Sequence, residues 1–271
     1  MRRRHIPWLL ATPALAAETL DSLERESGGR LGVFAIDTAS GRRITHRGDE
    51  RFPLMSTFKA LLAAAVLARG PALLERGFAI PRENLIAWSP VTETRAGTAM
   101  SGADLCAAIL ETSDNTAANL LLGGIGGPDA LTQWLRATGD ATTRLDRTEP
   151  TLNTAQPGDA RDTTTPAAMA GTLARLTLGD TLPAAARAQL LGWMRAHRFG
   201  GGLLRAGMPG WQLADRSGAG GFNSRGVVAV ARPPSGAAPW IIAAYLHEGP
   251  AAMPARDALL ARVGALIAAA A

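Results

Sequence analysis

Residues 55–62 read MSTFKALL, and Lys59 in the middle of this stretch is the only lysine in a chain of 271 residues with 28 basic side chains. Arginine fills every other basic position, so position 59 asks for something a guanidinium does not supply. Guanidinium stays protonated at any pH a protein meets, whereas a desolvated lysine can release its proton and act as a base. Ser56 stands three residues earlier, and residues three apart on a helix share a face with their side chains in reach. The pair reads as a nucleophile with its base. A snorkelling lysine beside a chance serine is the plain alternative, and further partners must decide between them.

Working outward, STFKALLAAAVLARG reads as a helix that opens at a Ser56 cap and stops at Gly70. It begins a mostly helical middle, with SGADLCAAILETS, NTAANLLLGG, PAAMAGTLARLTLG and LPAAARAQLLGWMRAHRFGG as further helices up to about residue 200. Residues 139–165 interrupt them with a polar, aperiodic stretch rich in Thr, Asp and Pro, and a loop of that length in a compact domain is usually functional or disordered. Both chain ends read differently. After a helix over 16–28 come two strand-like runs, RLGVFAIDT and RRITHRG; near the C-terminus come WQLADRSG, GVVAVARPP and WIIAAYLHE, then an apolar helix from about Met253. Neither group makes a good sheet alone, so one antiparallel sheet is expected to draw strands from both ends, with the helical middle as a second lobe and a cleft between.

Composition narrows the function classes. A hydrophobic fraction of 47% suffices for a sizeable core. The formal charge of +5 does not point to nucleic acid, because the arginines are scattered singly among acids except for RRR at 2–4. That run heads MRRRHIPWLLATPALAAE, whose basic head, short apolar stretch and small residues have the layout of a secretory signal over 1–17. Its removal takes three arginines and no acids, leaving a near-neutral chain. The C-terminal apolar run is too short for a membrane span and contains Arg262, so a soluble, secreted or periplasmic protein without an anchor is expected. The lone Cys106, in the apolar run LCAAIL, allows no internal disulfide and reads as a buried thiol. No spacing suggests a metal site or another cofactor.

Three further stretches complete the set: SDN at 113–115 in a break between helices, RTEPTLN at 147–153, and DRSGAGG at 215–221, read as a strand end followed by a glycine-rich turn. Each is weak alone, since Ser, Asp and Asn also favour caps and turns. Together with STFK, in this order and spacing, they resemble a class A serine β-lactamase over nearly the whole chain after the signal. The resemblance implies an α+β, two-lobed β-lactamase/transpeptidase-like fold. Its α/β lobe would comprise 18–51 and 201–271, its all-α lobe 52–200, with an active-site loop over 144–165. The substrate would be a small β-lactam, opened through a serine acyl-enzyme, and the default assembly a monomer.

By the same resemblance Ser56 attacks, and Lys59 and Glu149 compete for the role of base in acylation. Glu149, with Asn153 holding the same water, drives deacylation. Ser113 relays a proton to the leaving nitrogen, Asn115 holds the substrate's side-chain amide, and the backbone amides of Ser56 and Ala219 form the oxyanion hole. Arg216, Ser217 and Gly218 occupy the third motif, where most of the family has lysine at the position of Arg216. A carboxylate anchor needs only charge and donors, which arginine supplies. This RSG form resembles the carbenicillin-hydrolysing branch, and Arg225 matches a second arginine for the same carboxylate. Trp88, where the family usually has tyrosine, reads as an aromatic wall at the cleft mouth, with core packing as the alternative. Arg147 and Asp162 read as a pair that closes the loop, and the Glu149-Pro150 bond as a candidate cis bond.

Rival readings are distinguishable. A DD-peptidase or penicillin-binding protein shares the serine and lysine but lacks the deacylating Glu149 and Asn153. A β-lactam sensor domain would normally be tethered to a membrane. A Ser-His-Asp hydrolase would place a histidine in a motif, and His5, His46, His197 and His247 all fall outside the four.

Overall fold

A computed structural model describes residues 18–271, so the expected export signal at 1–17 lies outside the described residues. Helix α1 (Leu20–Ser27) starts later than its sequence pattern, because Thr19 and Ser22 exchange reciprocal capping bonds there. β1 (Arg30–Asp37) and β2 (Arg43–His46) form the expected hairpin, followed by β3 (Phe52–Pro53). The middle then runs α2 (Phe58–Ala68), α3 (Pro71–Leu74), β4 (Gly77–Ala79), β5 (Ala99–Ser101), α4 (Gly102–Glu111), α5 (Asn115–Ile125), α6 (Pro128–Ala137), β6 (Thr163–Thr164), α7 (Pro166–Thr177) and α8 (Ala184–Arg195). The chain closes with α9 (Leu204–Gly207), β7 (Gln212–Gly220), β8 (Ser224–Arg232), β9 (Trp240–His247) and α10 (Met253–Ala270).

The main sheet is antiparallel with the order β2-β1-β9-β8-β7. Its two N-terminal strands join the C-terminal three along β1 and β9, where Val33 faces Ala244. The alternation along β8 shows how both faces are used. Val227 and Ala229 pack with Leu23, Leu260 and Val263 of α1 and α10, while Val228 and Val230 share the other core with Leu61, Leu173 and Leu190 of α2, α7 and α8. A sheet covered on both faces reads as continuous apolar runs, which is why these strands stood out in the sequence.

Four expectations change in detail. Residues 52–200 are not all helical: β3 pairs with β6 and β4 with β5, in two ribbons too short to leave an alternating pattern. Helix α6 was not anticipated, although Pro128 at its first turn is a recognised start signal. Ser56 is not a helix cap; it lies in a 3-10 turn, Met55–Thr57, ahead of α2. Ala219 and Gly220 are strand and not turn, because β7 continues past Gly218 to Gly220 and the reversal is made by Gly221, Phe222 and Asn223.

Candidate active site

Helix α2 is apolar on all sides and buried from Phe58 to Leu67, the pattern of a central core helix. Lys59 is carried into this core near the helix's first turn and has no solvent exposure. The turn before it is held open by Met55, whose φ of 48° is left-handed. Such a backbone costs on the order of 1–3 kcal/mol in a non-glycine residue and persists only where the surroundings fix it. They do so here: Met55 is fully buried, and Thr57 donates its hydroxyl to Leu54 O at 2.5 Å. Ser56 Oγ is thereby left to face Lys59 Nζ, 3.1 Å away.

Lys59 Nζ is the hub of the site. Besides Ser56 it reaches Ser113 O at 2.9 Å, Ser113 Oγ at 3.1 Å, Asn115 Oδ1 at 2.6 Å and Glu149 Oε1 at 2.9 Å. An ammonium has three N–H donors, so five oxygens share them and small movements re-route the bonds. Burial pushes the Lys59 pKa from 10.5 down to about 8; Glu149 opposes the shift and Arg216 adds to it. Ser113 presents both its oxygens to the ammonium because its backbone is also left-handed, at φ 65°. Asn115 Nδ2 donates to Ala87 O at 2.9 Å, which leaves the amide's second hydrogen for the cleft.

Asp114, between them, does not face the cleft. It caps α5 through Ala117 N at 2.8 Å and accepts from Val91 N and Thr92 N at 2.9 and 2.8 Å, which ties the SDN turn to the loop carrying Trp88.

Glu149 is delivered by the irregular segment. Its side chain is fully buried, Ser56 Oγ lies 3.5 Å from Oε1, and Asn153 Nδ2 donates to Oε2. Asn153 Oδ1 is buried without a protein partner. The Glu149-Pro150 peptide is cis, as the sequence suggested. At the base of the loop Asp162 accepts from Asp146 N, Arg147 N and Arg147 Nε at 2.7, 2.9 and 2.5 Å. This brings Arg147 and Asp162 together below the cleft, apart from its lining.

The opposite wall is the end of β7. A Cβ on Gly218 would lie 2.7 Å from Ser56 N, and one on Gly220 2.8 Å from Asn153 O. Only glycine lets the strand press against the Ser56 turn and the loop at once. The cleft, about 430 Å³, is lined by Ser56, Ser113, Asn115, Asn153, Arg216, Ser217, Gly218, Ala219, Arg225 and Trp88. Arg216 is buried and donates to Ser56 O at 3.3 Å and Leu110 O at 3.4 Å. No carboxylate among the described residues forms an ion pair with it. Burial works against its charge and Arg225 adds to that effect, yet a guanidinium keeps its proton, so Arg216 is charged at neutral pH. Arg225 is paired with Asp257 at 2.6 Å and also donates to Gly218 O.

Trp88 is 57% exposed, which favours the wall over core packing. Its ring meets Phe199 at 5.6 Å between centroids, a cleft residue that sequence reading missed. Asn119 was missed too: it accepts from Glu149 N and donates to Glu149 O, both at 2.9 Å, and its place four residues after Asn115 was the available signal. His197, set aside as outside every motif, contacts Ser217 and Asp215. Cys106 is buried, and burial pushes its thiol pKa up. Among the described residues no group of His, Cys, Asp and Glu could hold a metal ion, and no helix is long and apolar enough to cross a membrane.

Residues 15–271 match the β-lactamase enzyme family. The chain is 49% identical to β-lactamase L2 of Stenotrophomonas maltophilia over 92% of its length and 84% of the relative's, and 46% identical to β-lactamase OXY-2 of Klebsiella oxytoca over 90% and 87%. Among solved structures, an ancestral class A β-lactamase superposes with a TM-score of 0.91 at 54% identity, covering 93% of this chain and 98% of that one. L2 in complex with relebactam gives 0.91 at 49%, covering 94% and 96%. A buried serine–lysine–glutamate cluster beneath an open cleft, on a backbone shared this closely, leaves one conclusion: the chain belongs to the β-lactamase enzyme family, as a class A serine β-lactamase that hydrolyses the amide bond of β-lactam antibiotics and so confers resistance to them.

Proposed function

We propose that the residues of this cleft divide the reaction as follows, with penicillins bearing a free carboxylate as the preferred substrates. Ser56 Oγ attacks the lactam carbonyl carbon as its proton passes to the neutral form of Lys59 Nζ, and Glu149 stays ionised for the second step. The oxyanion lies between the backbone amides of Ser56 and Ala219. Ser113 protonates the ring nitrogen as the carbon–nitrogen bond breaks and takes its replacement proton from Lys59, which returns to the neutral amine. Glu149 then takes a proton from a water that attacks the acyl-enzyme; the unpartnered Asn153 Oδ1 beside it supports a water site there. Asn115 offers its remaining amide hydrogen to the substrate side chain, and Trp88 supplies an aromatic wall.

The observation that carries the substrate assignment is Arg216: a buried guanidinium lining the cleft without an acidic partner. A buried charge without compensation is costly, and an arriving carboxylate relieves that cost. Arg225, flanking it, adds to the field even though Asp257 holds it. Arg216→Ala is therefore expected to raise KM for benzylpenicillin by roughly 10- to 100-fold. Benzylpenicillin methyl ester, which lacks the anion, tests the cause. An equal loss with the ester would reduce Arg216 to a structural role. The RSG form, which resembles that of carbenicillin hydrolysers, supports activity on carboxypenicillins, and kcat/KM for carbenicillin close to that for benzylpenicillin is the expected result.

Arg147 and Asp162 hold the loop in this reading. Asp162→Asn keeps the side chain's shape at a φ of 53° that asparagine tolerates, yet turns an amide toward Arg147. Rapid-quench kinetics should show deacylation slowed by about tenfold with acylation nearly unchanged. Equal loss of both rates would show that the pair does not act through the position of Glu149. We read the cleft as lying between the α/β lobe and the helical lobe, and the enzyme as a monomer exported by its first 17 residues to meet its substrate outside the cytoplasm.

A further inference from the structure

Behind the cleft wall, His197 joins Ser217 to Asp215. The imidazole has no exposure; its Nδ1 lies 3.3 Å from Asp215 Oδ1 and its Nε2 3.4 Å from Ser217 Oγ. Asp215 is also held by Arg205, through Nε at 3.1 Å, and its Oδ2 is buried without a partner. A Cβ on Gly200 would fall 2.4 Å from Asp215 Oδ2 and 3.0 Å from His197 Nδ1, so backbone seals the cluster on that side. The charged groups facing the ring are Asp215 and Arg216 from β7 and Arg205 from α9. Next to it in the chain, Arg198 pairs with Glu111 of α4 at 3.6 Å. Phe199 sets its ring edge-on to the imidazole.

The donor inventory of this chain forces a polarity. A carboxylate only accepts, so Nδ1 must carry a proton, and in the neutral ring Nε2 is a lone pair. Ser217 must then donate its one hydroxyl hydrogen to Nε2, and it shows the cleft only lone pairs. In the protonated ring both nitrogens donate. Ser217 Oγ then accepts from Nε2–H, and its hydrogen is free to point into the cleft beside Arg216.

We propose that His197 is a positioning residue that sets whether Ser217 donates to or repels the substrate carboxylate, so that carboxylate binding draws a proton onto His197. The proposal rests on the carboxylate lying against Arg216 and Ser217. It does not depend on which group is the acylation base. Burial holds the free ring below the ordinary histidine range, with Arg216 and Arg205 acting in the same sense and Asp215 against them. An anion arriving beside Ser217 shifts the balance back, and by linkage tighter binding and proton uptake are the same event.

The test measures KM and kcat for benzylpenicillin between about pH 4.5 and about pH 8 while NMR follows the His197 ring. In the wild type KM should rise roughly tenfold as His197 loses its proton, the worth of one hydrogen bond to a charged group, and kcat should not follow. His197→Gln, whose amide nitrogen reaches toward Ser217 and donates at every pH, should keep the low KM and flatten the profile. Ser217→Ala should also flatten it while the ring still titrates. A wild-type KM that stays level while the ring titrates, a ring that never titrates in this range, or an unchanged profile in Ser217→Ala would each overturn the proposal. Failure of the carboxylate reading itself would show separately, as benzylpenicillin and its methyl ester having equal KM in the wild type at every pH.

Discussion

Lys59→Arg is expected to lower kcat/KM for benzylpenicillin by about 10³-fold, the size of a positioned general base. The variant retains a positive charge, N–H donors and a long apolar stem, so binding electrostatics alone predict little change. What it loses is the neutral state. In the wild type, burial brings the Lys59 pKa to about 8, so roughly a tenth of an isolated amine with that value would be neutral at pH 7. The acylation rate of the wild type should accordingly climb with pH through about 8 and then level, and the residual rate of Lys59→Arg should lack that limb. Stopped-flow acylation across this range decides the matter. A tenfold loss or less, with the limb intact, would pass the base to Glu149. Stability carries the same signature with a definite sign: the folded pKa lies below the unfolded 10.5, so the cost of burying the ammonium is complete below pH 8 and fades as pH rises toward 10.5.

The chemistry of this site was more legible in the sequence than its backbone. A single lysine in a chain otherwise committed to arginine singled out the hub, and four short motifs supplied its partners. The sheet from both chain ends was legible because β8 and β9 are buried on both faces and read as unbroken apolar runs. What stayed hidden depends on long-range contact. Ser56 looked like a helix cap because serine usually is one; the left-handed Met55 before it is held by its burial, by the Thr57–Leu54 bond and by β7 packed against it, none of which is local pattern. AGG at 219–221 looked like a turn because glycines usually make turns, whereas Gly220 still belongs to β7 and, with Gly218, thins the strand so that it can touch the Ser56 turn and the loop. His197 and Phe199 lie in a stretch with no motif, and Asn119 differs from a surface asparagine only in what folds over it. Composition and periodicity report local preference, and these roles arise from neighbours 20 to 160 residues away, as the Asn119–Glu149 and Arg216–Ser56 bonds illustrate.

Glu149→Gln separates the two halves of the reaction, with an effect as large. The substitution preserves length, and the backbone bonds to Asn119 do not involve the altered atoms, so the loop should keep its course. The amide cannot accept the proton that an attacking water must lose. Mixed with benzylpenicillin, the variant should accumulate one acyl group per chain on Ser56, readable by mass spectrometry and peptide mapping, with steady-state turnover down by about 10³-fold or more. The wild type, sampled beside it, should consume the drug with little adduct. The rate at which the adduct appears carries the further information. Should it form nearly as fast as in the wild type, Lys59 suffices for acylation and Glu149 is needed only for release. Should acylation slow in step with release, Glu149 serves both steps, and the bond of 2.9 Å between Lys59 Nζ and Glu149 Oε1 is then the path by which the proton of Ser56 reaches it. A wild type that itself holds a long-lived adduct would contradict the assignment of Glu149 and Asn153 to the deacylating water, leaving the loop with a structural role alone.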